Sequence, residues 1–85
     1  MNPEDRRYGF VGILVENRES SPAIQEILSR YGECILGRMG LPHLAEDSLA
    51  IITLIVHATT DQVGALTGRL GALPGVSVKS GMGKI

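Results

Sequence analysis

The chain has 85 residues, a mass of 9.1 kDa and a formal net charge of -1, from eight Lys and Arg against nine Asp and Glu. This length accommodates one small domain and no second one. The charge balance lacks the basic excess typical of nonspecific nucleic-acid binding, and the longest apolar stretch, Leu49–Val56, is too short to span a bilayer. Cys34 is the only cysteine, which excludes an internal disulfide and, with no secretory signal at the N-terminus, predicts a cytoplasmic protein.

The first third of the chain predicts a disordered tail, a strand and a helix. Residues 1–7 are polar and aperiodic, whereas Tyr8–Glu16 has apolar residues on both parities, the pattern of a strand covered on both faces. Ser21 followed by Pro22 predicts a helix start, because the hydroxyl accepts from a free N–H and proline tolerates the first helical position. The helix ends at Gly32, and its apolar stripe comprises Ile24, Ile27, Leu28 and Tyr31.

The middle of the chain predicts two further strands. Residues 33–40 have strand character but contain two interior glycines, which favours a position at the sheet edge. Residues 41–47 contain Pro42 and predict a loop. Residues 48–58 form a second stretch with apolar residues on both parities, and therefore a second two-faced strand.

The last third predicts a helix, a short strand and a frayed tail. Thr60 is the expected N-cap of this helix, whose apolar stripe ends before residues 73–75, Leu-Pro-Gly. Residues 76–79 alternate as a strand, and residues 81–85 are expected to fray. The helix also carries Gly64, Gly68 and Gly71 on one side, which indicates either close packing of the two helices or a second oligomer contact.

The order β-α-β-β-α-β predicts an α+β protein with the ferredoxin-like fold over residues 8–80. Right-handed crossovers place the first and third strands at the centre of a four-stranded antiparallel sheet, with both helices on one face. The opposite face, here called the open face, is then apolar and predicts self-association, although exposure confined to the strand ends is the alternative. The candidate interface residues are Val11, Ile13, Val15, Ile51, Thr53 and Ile55.

Three segments resemble a known family: ILVENRES at 13–20, YGECILGRMGLP at 31–42 and LTGRLGALPGV at 66–76. They resemble the iron-only hydrogenase system regulators, small ACT-like domains similar to the C-terminal sensor half of nickel-responsive CopG-type repressors. The resemblance implies a small-molecule-sensing regulatory module that works as a homodimer or homotetramer, in transcriptional or hydrogenase-system regulation. No ribbon-helix-helix segment precedes the first strand, so we expect no direct DNA binding, and a partner protein is one possibility.

The candidate ligand site is the turn before the first helix, here called the entry turn: Asn17, Arg18, Glu19, Ser20 and Ser21. Free N–H groups at a helix N-terminus favour an anion, and the resemblance implies that this turn binds small effectors, often across a subunit interface. The alternative is a solvated connector that caps its own helix. Arg38, flanked by glycines, either offers its planar fork to a carboxylate or phosphate or forms an ion pair between subunits with Glu33 or Glu16.

Neither metal chemistry nor catalysis has a motif here. His43, His57 and Cys34 lack any short ligand spacing, so we predict no metal site and no cofactor. The sequence contains no nucleophile–base spacing and no phosphate loop of known pattern, which predicts a protein that is not an enzyme. Two functions therefore remain: a small-molecule-sensing regulatory module, or a purely structural oligomeric interaction protein without a small ligand.

Overall fold

A computed structural model describes residues 5–85 of the chain. Within them the chain forms a four-stranded antiparallel sheet and two helices, with a short 3₁₀ turn on either side of the first helix. The elements are β1 (Arg7–Val15), α1 (Ser21–Arg30), β2 (Ile35–Leu44), β3 (Leu49–Ala58), α2 (Thr60–Gly71) and β4 (Val76–Met82). The strand order is β2-β3-β1-β4, so the predicted ferredoxin-like fold, with the first and third strands at its centre, is confirmed.

The core lies between the sheet and the two helices. Alternate residues of β1 and β3 point into it, and Val11, Ile13 and Leu54 have no exposed surface. From the helices it receives Ile24, Leu28, Val63, Leu66 and Leu70. Burying a side chain of this size contributes about 1.5–3 kcal/mol, so this layer is the main source of stability.

This burial corrects half of the expected interface. Val11, Ile13 and Val15 are 0%, 0% and 4% exposed within the single chain, so they cannot meet a second copy across the open face. The sequence left the choice undecided because both parities of β1 are apolar. In β1 the helices cover the odd-numbered residues, and the even-numbered residues lie on the open face.

The edge strand β2 is longer than predicted. It continues through Pro42 to Leu44, where the sequence indicated a loop over residues 41–47. Proline is tolerated there because an edge strand has one side without ladder hydrogen bonds. The chain then reverses in residues 43–48, here called the hairpin turn, in which four non-glycine residues have positive φ: His43, Ala45, Glu46 and Asp47, at 65°, 49°, 56° and 72°.

The helix starts also differ from the prediction. Ser20 is the N-cap position of α1, yet neither it nor Ser21 caps the helix with its side chain. α2 is capped by Thr59 rather than Thr60: Thr59 Oγ1 accepts from the Gln62 N–H at 3.1 Å, and Gln62 Oε1 accepts from the Thr59 N–H at 2.9 Å. This reciprocal capping box satisfies two backbone donors at once.

The glycines of α2 do not lie at the contact between the two helices of this chain. A Cβ added at Gly64, Gly68 or Gly71 would have no neighbouring atom within 4 Å. The helices touch elsewhere, where Arg69 Nε donates to Tyr31 Oη at 3.2 Å. Of the two explanations, close packing is therefore wrong, and a contact with a second copy stays a prediction.

Residues 81–85, for which the sequence predicted a frayed tail, form backbone hydrogen bonds with β1 in the structure. β4 extends to Met82, and the Gly83 N–H donates to the Tyr8 carbonyl at 2.7 Å. The Tyr8 N–H in turn donates to the Ile85 carbonyl at 2.6 Å. At the other end, residues 1–4 of the expected tail lie outside the described residues, and Arg7 already belongs to β1.

Candidate functional site

A cleft of about 280 Å³ lies between the end of β1, the entry turn and the hairpin turn. Its polar side chains include Glu16, Arg18, Ser21, His43 and Asp47. These segments meet because the antiparallel register pairs Val15, the last residue of β1, with Ala50 near the start of β3. The entry turn and the hairpin turn are therefore brought to the same end of the sheet.

Arg18 spans this cleft and links its two walls. Its Nη2 lies 2.7 Å from Asp47 Oδ1 and donates to the Asp47 backbone carbonyl at 2.9 Å. His43 Nδ1 contacts the same Asp47 Oδ1. The hydrogen bond from Arg18, followed by that from His43, lowers the pKa of the Asp47 carboxyl below its ordinary value. The Arg18 and Asp47 side chains are 65% and 53% exposed, so water and solutes reach both partners.

The rest of the entry turn has a structural role. Asn17 Oδ1 accepts from the Glu19 N–H at 3.0 Å, which closes the turn. The buried Ser20 hydroxyl donates to the Pro74 carbonyl at 2.7 Å, and the Glu16 N–H donates to the Gly75 carbonyl at 2.7 Å. Of the five predicted residues, Arg18 and Ser21 line the cleft, whereas Asn17, Glu19 and Ser20 do not. For Asn17 and Ser20, these contacts favour the connector interpretation.

Arg38 lies apart from this cleft. It pairs with Leu54 on the helix side of the sheet, and its Nη2 donates to Gln25 Oε1 on α1 at 2.8 Å. It is not among the residues that line the cleft. A single chain therefore does not bring Arg38 and the entry turn into one site.

A wider depression of about 600 Å³ lies beside the two chain ends and the start of α2. All the residues that line it are exposed, and its basic side chains have acidic neighbours. The lining residues are Asp5, Arg6, Arg7, Thr60, Asp61, Lys84 and Ile85. It has neither a buried polar group nor an apolar wall to orient a ligand. The smaller cleft is the better candidate.

Comparison with known proteins identifies the family. The family model for TM1266-like iron-only hydrogenase system regulators matches residues 7–80. The chain belongs to this family. The structure of the uncharacterized protein TM1266 from Thermotoga maritima is 35% identical, with a TM-score of 0.86 over 93% of this chain and 99% of that one. Among curated proteins, none matches the sequence.

More distant structures share the fold of this family member. The ACT domain of GTP pyrophosphokinase from Chlorobium tepidum is 19% identical, with a TM-score of 0.70 over 89% of this chain and 86% of that one. CPII, a nitrogen regulatory PII-like protein from Thiomonas intermedia K12, is 19% identical, with a TM-score of 0.53 over 92% and 91%. At these identities the likeness establishes the fold alone, and it confirms the ACT-like assignment.

The three residues considered for metal binding lie in different places in this family member. His43 is in the hairpin turn, His57 stacks on Tyr8 with ring centroids 4.3 Å apart, and Cys34 is buried in the core. Within residues 5–85, no three His, Cys, Asp or Glu side chains converge as a metal site would require. In the same part of the chain, no helix is long and apolar enough to cross a membrane.

Sequence reasoning missed Asp47 and gave His43 only a metal role. Asp47 is 29 residues from Arg18, and no local motif joins them. A usable signal was the topology itself, because the end of β1 and the β2–β3 connection must lie at the same end of an antiparallel sheet. A search for charged residues in that connection would have found Asp47 opposite Arg18.

Proposed function

We propose that the chain is a small-molecule-sensing regulatory module that acts as a cytoplasmic homo-oligomer and binds an anionic effector in the cleft between the entry turn and the hairpin turn. The family supports a regulatory role. The fold supports a binding module, since CPII is a PII-like regulator of related fold whose structure contains ADP, AMP and bicarbonate. The module transmits its state to a partner protein in transcriptional or hydrogenase-system regulation, rather than reading DNA itself.

The observation that carries the proposal is the Arg18–Asp47 link. A planar guanidinium binds carboxylates and phosphates through the same donors that it offers to Asp47. An anionic effector therefore competes with Asp47 for Arg18. Because Asp47 belongs to a turn with four non-glycine residues at positive φ, release of Asp47 lets that turn relax, and occupancy of the cleft changes the shape of the hairpin turn.

Arg38 enters this proposal only through a second copy. In its own chain it is bound to Gln25 and lies on the edge strand of the sheet. An effector held at the cleft of one chain and contacted by Arg38 of another would couple binding to assembly. If Arg38 instead stabilises only a subunit contact, Arg38→Ala will weaken the oligomer when no ligand is present.

The test is a thermal-shift screen of the full chain with nucleotides, amino acids, small carboxylates and inorganic phosphate. A ligand that binds only the folded state raises Tm in proportion to the logarithm of its concentration. For any ligand found, Arg18→Gln should abolish the shift and Asp47→Asn should enlarge it, because the second change removes the internal competitor. Arg30→Gln is the matched control, since Arg30 forms a similar exposed pair with Glu26 outside the cleft.

The opposite responses of Arg18→Gln and Asp47→Asn are diagnostic. If a ligand raises the Tm of both variants as much as that of the wild type, the ligand binds elsewhere and the cleft is not the site. If no anion in the screen raises Tm, the sensing function is wrong. The second candidate function, an oligomeric interaction protein without a small ligand, is favoured in that case by the apolar open face.

A further inference from the structure

The open face of the sheet carries a continuous apolar patch. Register places Phe10 opposite Ile55, Leu14 opposite Ile51, and Met39 and Leu41 beside Thr53 and Ile51. Four of these side chains are more than half exposed: Phe10, Met39, Leu41 and Ile55, at 54%, 67%, 54% and 56%. Within residues 5–85 neither helix covers them, because both pack on the opposite face.

The patch is uneven in a way that constrains its partner. Its apolar part covers β2, β3 and β1, whereas the open-face positions of β4 are Ser77, Lys79 and Gly81. The ring of Phe10 is packed over Gly81, where an added Cβ would lie 2.6 Å from Phe10 Cζ. This contact limits the movement of the ring, so the aromatic group loses little freedom on binding.

We infer that this face binds a second copy of the same chain, by stacking of two sheets about a twofold axis. The inference takes from the proposed function only that the chain is an oligomer, and it names the surface. Stacked sheets pack about 10 Å apart with their apolar side chains interdigitated. A twofold axis through the β2–β3–β1 part of the face places apolar surface on apolar surface and leaves Lys79 at the rim.

The area supports a stable contact between copies. The exposed side chains together present on the order of several hundred Å² of apolar surface, the size at which a surface patch is often functional. A standard interface buries about 800 Å² from each partner, which is of the same order as the area of this patch. A domain of 85 residues buries a thin core, so the second copy also adds the apolar burial that a single chain lacks. The low charge of the patch disfavours an acidic or basic partner.

The experiment is sedimentation equilibrium of the full chain at micromolar concentration. We compare the wild type with Ile55→Lys and Met39→Lys on the open face, and with Ala65→Lys on the exposed side of α2 as a control of equal charge. We expect the wild type to have at least twice the 9.1 kDa chain mass. Each open-face variant should halve that mass and weaken association about 100-fold or more, because an unpaired charge would be buried.

Every other outcome counts against the inference in a distinct way. A monomeric wild type would overturn both this surface and the oligomeric part of the proposed function, while the thermal-shift screen would still judge ligand binding. An oligomer retained by both open-face variants would overturn the surface alone. Loss of the oligomer only in Ala65→Lys would assign the interface to the glycine side of α2. Circular dichroism checks that each variant is folded. Ile55 and Met39 are both exposed enough to accept lysine without unfolding the chain.

Discussion

The entry turn is held on two sides by turns of opposite construction. On one side is the turn at residues 72–75, here called the C-terminal turn, where glycine occupies the position with positive φ: Gly75, at 70°. On the other side is the hairpin turn, where four positions with positive φ are occupied by other residues. The entry turn contacts the C-terminal turn through the buried hydroxyl of Ser20. It contacts the hairpin turn through the exposed ion pair of Arg18.

The difference separates an anchor from a movable wall. The backbone bond from Glu16 to Gly75 and the Ser20 hydrogen bond to Pro74 are both 2.7 Å long, and Ser20 is buried, so this side exchanges with water less readily than an exposed ion pair. The Arg18–Asp47 pair is exposed, and exposed pairs contribute only about 0–1 kcal/mol. The left-handed conformation of each non-glycine residue costs about 1–2 kcal/mol. The cleft therefore has one rigid wall and one that a ligand can displace.

The largest expected effect is at Gly75. An added Cβ would lie 2.6 Å from Asn17 Cβ and 2.9 Å from Asn17 N, at a φ of 70°. We expect Gly75→Ala to lower the free energy of unfolding by about 2–4 kcal/mol, from left-handed strain and overpacking together. Urea denaturation measures the change.

The same substitution at Gly68 is the control. Gly68 lies in α2 with open space around its Cα, so Gly68→Ala should raise the free energy of unfolding by about 0.5–1 kcal/mol. Equal effects at the two glycines would show that Gly75 is not an anchor. Destabilisation by Gly68→Ala, together with a loss of oligomer, would instead indicate a subunit contact on α2.

The Ser20 hydrogen bond should have the next largest effect. Ser20→Ala removes the donor to the Pro74 carbonyl from a part-buried hydrogen bond, which should cost about 0.5–1.5 kcal/mol in urea denaturation. Ser29→Ala, at an exposed position of α1, should leave stability nearly unchanged. A Ser20→Ala variant as stable as Ser29→Ala would remove the distinction between the two walls.

The hairpin turn should respond in the opposite direction. Glu46 has a φ of 56°, so Glu46→Gly relieves left-handed strain and should raise the free energy of unfolding by about 1 kcal/mol, after the greater entropy of the unfolded glycine chain is deducted. Glu46→Ala keeps the strain and should change little. If the two variants behave alike, the effect comes from the side chain and the turn is not strained.

The smallest effect is the pH dependence of the Asp47 pair. Because the folded state lowers the pKa of the Asp47 carboxyl, the pair stabilises the protein above the ordinary pKa of Asp, about 3.9. This stabilisation is lost as the pH falls through the lower folded value, since the unfolded chain takes up the proton first. Unfolding measured from pH 5 to acid pH should show a shallower loss of stability for Asp47→Asn than for the wild type. Identical profiles would mean that the pair does not persist in solution.

The sequence alone determined the elements and their order. Ser21-Pro22 and the stripe of Ile24 and Leu28 defined α1, because helix starts and apolar periodicity are local properties of the chain. The two apolar stretches around Ile13 and Leu54 marked the central strands. The remaining topology followed from the handedness of crossovers, which leaves few arrangements for six elements in one small domain.

Only the tertiary structure decided the faces and the site. Both parities of β1 are apolar, so local pattern could not say whether Ile13 or Phe10 lies under the helices; packing of α1 and α2 made that choice. The extension of β2 through Pro42 depended on its position at the sheet edge, and the positive φ values of Ala45 and Glu46 have no local sequence signal. The Arg18–Asp47 link joins residues 29 apart, and the register of three strands, not any motif, brings them together.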